Sequence, residues 1–507
     1  METLEKGNQS PGVSESTSGS LVSGLENGGP ITTVGTSYEP AGNHIKKVPN
    51  DKGQELQVPD ARDWNMKYKL FVSLSAIYAD KASMCSTSTL TTSIYIASIP
   101  GIMLEFRVGQ TLAIAPITFY AIGFVIGPIC TSALSEEFGR QYIYKVSLFL
   151  HLVFTIVGGS AQNFRTLAVA RGICGIVGSP CVTVFSGLLN DLWKMPEDRM
   201  GVTLLAITGI MGAVASEIGP LAGEAIVVDR DWRWTFWLTA MLVGVCFLAL
   251  VSVPETYKPE IRRRMMKLPR QNLWHCLGPS LARPMQLLLL EPIIFPTAAI
   301  VAMGQVVVFV FYASYPLVLS EVYQFSPYEV GLAFIPLIIG SLLAMPIISA
   351  VMKRREKSSN PQPEDSLPAG SIAGILLPIS LFWLAWTARS NIHWICPLLA
   401  GGLYGLAFAL SQLVYPLYKN EVYGAELGAS AFAVDVAMRY TFSSVFPLFT
   451  IQMVRRIGFD WTISLCAFVL LALAPVPFVL QKYGSTLRER SRYVPKTGQS
   501  ALRDMSA

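Results

Sequence analysis

Charged residues are scarce in this chain. Lys, Arg, Asp and Glu together make up 14% of its 507 residues, whereas soluble domains carry roughly 25%. Hydrophobic residues make up 52% and the mean hydropathy is +0.45, which indicates a membrane protein rather than a soluble one. The net charge of +5 comes from short basic clusters between apolar runs. Because these clusters form no single basic face, we expect no nucleic-acid partner.

Motifs of the common enzyme and cofactor sites are also missing. The sequence has no phosphate-binding G-x-x-x-x-G-K loop, no G-x-S-x-G nucleophile turn and no Cys/His spacing suited to a metal. We therefore expect neither an enzyme nor an ATP-driven pump, and no metal or cofactor. The eight cysteines lie mainly in or beside apolar runs, which is typical of packing residues rather than of a disulfide framework. The first residues contain neither a basic nor an apolar segment, so we expect no cleaved signal peptide.

Long apolar runs are what the chain has in abundance, and each membrane-spanning helix needs about 20 such residues. The predicted spans 1 to 12 are 70–94, 110–131, 143–162, 165–190, 200–223, 233–254, 292–318, 329–352, 369–388, 392–418, 426–450 and 458–481. The longest connection, residues 255–291, separates two groups of six. The sequence thus predicts an all-α membrane protein with two six-helix bundles, residues 63–254 and 292–481. Residues 1–62 are rich in Gly, Ser, Thr, Asn and Pro and are predicted to be a disordered tail, and residues 482–507 a second tail.

Lys and Arg concentrate in alternate loops, which sets the predicted orientation. If the amino-terminal tail is cytoplasmic, the loops on that side hold most of the loop Lys and Arg, as the positive-inside rule requires. Both termini and the connection between spans 6 and 7 are therefore predicted to be cytoplasmic. The basic and apolar residues of that connection fit either a helix lying on the inner leaflet or a solvated linker.

The turn between spans 2 and 3 carries the most informative motif, ALSEEFGRQ at residues 133–141. It resembles the loop signature of the major facilitator superfamily, in which a small residue, Leu, a small residue and an acid precede Gly-Arg. The matching residues are Leu134, Ser135, Glu136, Gly139 and Arg140, and the departures are Ser132, Glu137 and Gln141. We expect Glu136, Gly139 and Arg140 to form a polar latch that biases which side is open. The alternative is a solvated turn whose ion pair contributes only about 0 to 1 kcal/mol.

Further landmarks follow in order along the chain. They are Asp63-Trp64, Arg171 with Gly175, Asp191-Leu192-Trp193, Gly219-Pro220, residues 232–237, Pro254-Glu255-Thr256-Tyr257, residues 376–378 and His393-Trp394-Ile395. Over residues 60–490 the chain resembles the twelve-span fungal drug:proton antiporter family, which includes polyamine and multidrug exporters. The resemblance implies a monomeric secondary transporter of the plasma membrane that binds a small organic molecule and protons.

Ionic residues inside apolar runs are the candidates for proton coupling, because charge in hydrocarbon is costly. They are Arg171 in span 4, Glu217 in span 5, Asp435 in span 11 and Asp80 in span 1. The resemblance implies a coupling role for Arg171, and a purely structural arginine is the alternative. Asp435 and Arg439, four residues apart, fit a self-neutralising ion pair as well as an exchange site. If span 1 begins near residue 82, Asp80 and Lys81 lie at the cytoplasmic interface instead.

Aromatic, amide and cationic groups in several spans suit a cavity for an amphipathic organic substrate, although such residues also serve in packing. The cavity candidates are Lys81, Gln305, Tyr312, Gln412, Tyr415 and Arg439. Span 5 also holds small residues and a proline that let helices approach closely and bend, namely Gly212, Gly219, Pro220 and Gly223. They resemble the antiporter signature of exporting families, except that Ala215 and Glu224 replace glycines and Glu217 is an added acid. Plain helix packing is the alternative role.

The sequence therefore predicts a transporter that rocks two bundles around a midplane site. It would exchange a cytoplasmic toxin, drug, metabolite, polyamine or organic acid for external protons. An uptake symporter on the same fold is one rival, and acid-driven accumulation in inside-out vesicles separates the two. A non-transporting sensor is the other, and it should tolerate loss of substrate flux but not deletion of residues 1–60.

Overall fold

The computed structural model of the chain describes residues 61, 65–67, 69–70, 73, 89–180, 188, 191–193, 198–251, 254–266, 283–357, 362–491 and 493. Several sequence predictions fall outside what is described. They concern the tail up to residue 60, Asp63-Trp64, and the pair Asp80 and Lys81, and for Glu136 only the backbone is described.

The described residues are helical almost throughout, because a backbone in hydrocarbon must satisfy its own hydrogen bonds. The helices are α1 (Leu90–Phe106), α2 (Gln110–Phe138), α3 (Arg140–Gly159), α4 (Phe164–Gly178), α5 (Arg199–Asp229), α6 (Arg233–Val251), α7 (Lys258–Met266), α8 (Ile294–Tyr323), α9 (Pro327–Leu332), α10 (Ile335–Glu356), α11 (Leu367–Thr387), α12 (Ile395–Leu473) and α13 (Val476–Arg490). Within this described part, eight stretches are long and apolar enough to cross a bilayer, and two shorter apolar helices, Leu90–Phe106 and Arg233–Leu248, accompany them.

Two glycines divide the long helix α12. Gly424 has φ 67° and Gly458 has φ 86°, and both backbone conformations interrupt the helix. A positive φ favours glycine, which has no Cβ to clash with the backbone. We call the resulting segments α12a (395–423), α12b (425–457) and α12c (459–473). The breaks fall between predicted spans 10 and 11 and at the start of predicted span 12, while the twelve-span count and the cytoplasmic termini stay predictions.

Two helix ends differ from the sequence predictions. Span 1 was predicted at 70–94, but α1 continues to Phe106. Pro100 and Gly101 resemble a helix end in sequence, yet Pro100 lies inside α1, where neighbouring helices can compensate for its missing N–H. At the other end of the chain, α13 runs past the predicted boundary at residue 482 to Arg490. Within this extension Arg488 donates to both carboxylate oxygens of Glu364, each at 2.9 Å.

The helices pack as two halves that meet along two seams. In the first half α1 packs on α5, α2 on α4, and α3 on α4 and α6, while in the second half α8, α10 and α11 all pack on α12. The halves meet where α2 packs on α12 and where α5 packs on α9 and α10. At the first seam Thr118 donates to the Ser444 carbonyl at 2.8 Å.

Small residues allow α1 and α5 to approach closely. A Cβ added to Gly223 would lie 2.8 Å from the Ile94 carbonyl oxygen, and one added to Gly219 would collide with Ser93. A Cβ on Gly212 would meet nothing within 4 Å. The close approach predicted for the span-5 glycines is therefore found at Gly219 and Gly223, whereas a Cβ at Gly212 would meet open space, although the Gly212 carbonyl accepts a hydrogen bond from Thr89 at 3.4 Å.

Candidate functional site

Glu217 links the two halves through a buried hydrogen bond. It lies on α5, its residue is 1% exposed, and its Oε1 accepts a hydrogen bond of 2.8 Å from Ser341 on α10. The same Ser341 hydroxyl lies 3.1 Å from the Gly405 carbonyl of α12a. The second carboxylate oxygen, Oε2, has no partner among the described residues. A buried carboxylate that is only half satisfied is costly to keep and is a common feature of functional sites.

Arg171 lies inside the first half and is surrounded by aromatic rings. It is 3% exposed and donates to the Thr91 carbonyl of α1 at 2.9 Å. Its guanidinium carbon is 4.5 Å from the ring centroids of both Tyr95 and Phe236, which places it over the negative faces of the rings. Within the described ranges no carboxylate pairs with it, and its Nε has no partner. The arginine thus ties α4 to α1 and α6 without a counter-ion.

Asp435 is paired differently from the sequence expectation. The residue on α12b is completely buried, and its Oδ1 forms an ion pair with Lys419 at the end of α12a. The sequence spacing fits either an Asp435–Arg439 ion pair or an exchange site, and Lys419, which follows predicted span 10, is predicted to lie in a cytoplasmic loop. The break at Gly424 is the reason for the difference, because it turns the chain back and brings Lys419 against α12b. Arg439 stays half-buried, and its Nε lacks a partner in the part of the chain that is described.

A cavity of about 200 Å³ lies between the two halves. Helices α1, α2 and α5 of the first half and α8 and α12b of the second half contribute its walls. The walls are mainly apolar, with Ile114 from α2, Ile451 from α12b, and Phe309 and Tyr312 from α8. All five helices contribute residues near the ends that the sequence predicts to be extracellular. Glu224 is the single charged side chain among its described lining residues.

Most of the described cavity candidates lie elsewhere. Of the five candidates within the described residues only Tyr312 lines this cavity, and its hydroxyl donates to the Ser216 carbonyl at 2.6 Å, while Lys81 lies outside those residues. Tyr415 donates to the Gly370 carbonyl of α11 at 2.9 Å and serves packing within the second half. Gln305 is buried on α8. Gln412 is half-buried, and neither polar atom of its amide has a hydrogen-bond partner in the described residues.

The predicted latch is an ionic cluster within the first half. Arg140 Nε lies 3.4 Å from Asp191 Oδ2, and Arg140 Nη1 donates to Ser135 at 2.7 Å. Glu255, at the end of α6, accepts the backbone N–H of Arg140 at 3.0 Å. Gly139 has φ 91°, and a Cβ there would collide with the Glu255 carboxylate. These contacts join the start of α3 to Asp191, which follows α4, and to Glu255, which follows α6, all within the first half.

Corresponding helix ends of the second half carry similar pairs. Arg355 at the end of α10 lies 2.5 Å from Glu421 at the end of α12a, and Glu421 is almost fully buried. Helix α7 of the central connection is likewise held in place. Its Arg263 lies 3.0 Å from Glu137 of α2. This part of the connection is therefore anchored to the bundle, whereas residues 267–282 lie outside the described ranges.

The sequence matches the profile of the Major Facilitator Superfamily over residues 82–438. This chain belongs to that superfamily. The match includes residues from both halves, and it confirms the resemblance on which the sequence predictions relied. The fold is shared by a solved superfamily transporter, the proton:xylose symporter XylE bound to 6-bromo-6-deoxy-D-glucose. The two structures agree with a TM-score of 0.61 at 14% identity, over 83% of this chain and 96% of XylE.

Curated superfamily members from fungi are similar over most of the chain. Polyamine transporter 4 of Saccharomyces cerevisiae is 29% identical over 94% of this chain and 79% of its own length. Efflux pump FUB11 of Gibberella moniliformis is 30% identical over 90% of this chain and 78% of its own. The major facilitator superfamily multidrug transporter mdrA of Aspergillus fumigatus is 30% identical over 92% and 78%. The predicted relationship to fungal polyamine and multidrug efflux transporters is thereby confirmed.

Two residues of the site, Glu224 and Lys419, were not among the candidates predicted from the sequence. Glu224 was noted only as a departure from the glycine pattern of span 5, yet it is the charged residue of the cavity. Lys419 was assigned to a loop because it follows an apolar run, yet it is 1% exposed. For Glu224 a usable signal was present, namely an acid seven residues after Glu217 on the same helix. For Lys419 the signal was absent, because only the turn at Gly424 buries it.

Proposed function

We propose that this superfamily transporter is a proton-coupled antiporter that exports a small organic molecule across the plasma membrane. The observation that carries the proposal is the cavity between the halves, together with the buried Glu217 at the contact of α5 and α10. If the halves rock about this contact, α5 and α10 separate and the bond between Ser341 and Glu217 breaks. The carboxylate then meets water and can exchange a proton.

Coupling requires that protonation and substrate occupancy disfavour each other at some stage of the cycle. Glu217 suits this role because one carboxylate oxygen is unpartnered and because its hydrogen bond crosses the moving interface. Asp435 suits it less well, since Lys419 already neutralises it. Arg171, which has no described counter-ion, contacts α1 from α4. Through these contacts it would change the relative free energies of the two transporter conformations. Glu136 and Asp80 are not needed for this scheme.

The exported substrate is proposed from the chemistry of the cavity and from the names of the relatives. The yeast relative is named as a polyamine transporter and the Aspergillus relative as a multidrug transporter. A cavity with apolar walls and one carboxylate suits organic molecules better than inorganic ions. The efflux relatives support export in place of uptake, whereas the departures of span 5 from the antiporter signature favour the uptake rival.

Proteoliposomes that contain the purified full-length protein test the direction and the coupling. Labelled spermidine and rhodamine 6G are added outside vesicles whose interior is either more acidic or more alkaline than the medium. Antiport predicts accumulation of one of these probes only in the acidic vesicles. Accumulation only in the alkaline vesicles would identify a symporter, and accumulation in neither would contradict proton-coupled transport of these compounds.

A further inference from the structure

The cavity holds a carboxylate that the coupling scheme does not use. Glu224 lies on α5, half-buried, with its Cβ 3.1 Å from the Cβ position of Gly331 on α9. It has no hydrogen bond and no ion pair among the described residues, unlike Glu217, which is bound to Ser341. Glu224 therefore presents a carboxyl group to a mainly apolar space that both halves line.

Glu217 and Glu224 form two positions along one face of α5. Seven residues make nearly two helical turns, so the two side chains share a face and are separated by about 10 Å along the axis. Tyr312 marks the boundary between them. It lines the cavity that contains Glu224, and its hydroxyl donates to the Ser216 carbonyl beside Glu217 at 2.6 Å. The cavity carboxylate is thus a separate binding position and not an extension of the Glu217 site.

We infer that Glu224 is the counter-ion for an amphipathic organic cation, one ammonium group on an apolar body, bound in the cavity between the halves. This inference rests on the proposed transport function and names its substrate class. A single carboxylate balances one positive charge, and the surrounding isoleucines, Phe309 and Pro316 provide the apolar contacts for the remainder of the molecule. A flexible polycation would leave further charges in the same apolar walls, which is unfavourable.

The ring of Phe309 adds a second attraction for such a ligand. Aromatic faces attract quaternary and protonated ammonium groups, and the attraction is larger where water is excluded. A neutral molecule of the same size gains the apolar contacts but leaves Glu224 without a counter-ion. The site should therefore discriminate by charge first and by shape second.

Binding to the purified full-length protein in nanodiscs, measured by calorimetry without any gradient, tests this inference. The cationic probe is benzyltrimethylammonium, and the neutral control is N,N-dimethylbenzamide. We expect Glu224→Gln to weaken binding of the cation about tenfold or more, equivalent to about 1.4 kcal/mol. Glu321→Gln, at an exposed acid near the end of α8, is the matched control and should leave the affinity within about twofold.

Two further variants keep the inference testable if Glu224→Gln folds poorly. Glu224→Asp retains the carboxylate but moves it back by one methylene group. Its affinity for the cation should therefore be lower than that of the wild type but still measurable. Ala313→Phe fills the cavity and should abolish binding of the cation. Equal affinity of wild type and Glu224→Gln for the cation overturns the inference, as does tighter binding of spermidine than of benzyltrimethylammonium. Because no gradient is applied, the binding result holds or fails independently of proton coupling.

Discussion

Lys419 and Asp435 form a buried ion pair across the break at Gly424, although sixteen residues separate them in the chain. Both side chains are withdrawn from solvent, with exposures of 1% and 0%. Their charges therefore depend on each other, since a lone charge in this environment is costly. The pair fixes the turn from α12a to α12b, and Arg439 lies one helical turn beyond it.

Removing one member of this pair should destabilise the protein strongly. We expect Lys419→Met to lower the free energy of unfolding by about 3 to 5 kcal/mol, because it leaves Asp435 charged and unpaired. The double variant Lys419→Met/Asp435→Leu should recover part of the loss, since the unpaired carboxylate is removed while Arg439 loses its neighbouring anion. Thermal unfolding of the purified variants in detergent measures both effects. A double variant less stable than the single one would contradict the interpretation.

Loss of the Glu217 carboxylate should uncouple transport without stopping substrate movement. Glu217→Gln keeps the shape and a hydrogen-bond acceptor for Ser341 but cannot exchange a proton. Gradient-driven accumulation in proteoliposomes should fall about 5- to 150-fold, the usual range of coupling between sites. Exchange of labelled for unlabelled substrate without a gradient should persist. If both activities were lost together, Glu217 would be part of the substrate site instead.

A side chain at Gly139, in the turn before α3, should destabilise the protein. Its φ of 91° is strained for any residue with a Cβ, and that Cβ would also displace the Glu255 carboxylate. Gly139→Ala should therefore lower the free energy of unfolding by about 1 to 3 kcal/mol. Gly109→Ala is the control, because Gly109 has a negative φ and open space around it. Comparison of their unfolding midpoints measures the difference, and equal midpoints would refute the proposed strain.

Within the span-5 motif, two glycines should respond in opposite directions to the same substitution. Gly223→Ala forces a Cβ to 2.8 Å from the Ile94 carbonyl oxygen, so α1 and α5 must separate. Gly212→Ala meets nothing within 4 Å and should be neutral or stabilise α5 by about 0.5 to 1 kcal/mol. Unfolding midpoints distinguish the two. A destabilised Gly212→Ala protein would show that the motif glycines act through something other than packing.

The fold could be predicted from the sequence more completely than the site. Apolar runs determine where helices cross a bilayer, and ordered motifs such as those at Arg140 and Trp232 identify the superfamily. Helix ends are harder to predict, because hydropathy averaged over many residues cannot locate the residue at which a helix stops. The extension of α1 through Pro100 and of α13 to Arg490 shows this.

The partner of a buried side chain depends on how the helices turn and pack against each other. Local sequence patterns do not predict this packing. Spacing along one helix favoured Asp435 with Arg439, but the turn at Gly424 presents Lys419 first. Buried residues such as Gln305 and Tyr415 satisfied the composition expected of a cavity and yet lie away from it. Glu224 was visible as an unusual acid, and its position in a cavity required coordinates.

The Glu255 carboxylate described at the start of α3 has a mechanical consequence. Its oxygens accept the backbone N–H groups of Arg140 and Gln141 at 3.0 and 3.2 Å, and those of Thr256 and Tyr257 at 3.1 Å. One side chain thus fastens the beginning of α3 to the exit of α6. Helix α3 cannot tilt away from the loop after α6 without removing the Arg140 and Gln141 donors from the anion, while the other two donors hold the carboxylate in place. If the halves rock as proposed, this corner of the bundle moves as one rigid unit and the change in packing falls at the seams between the halves.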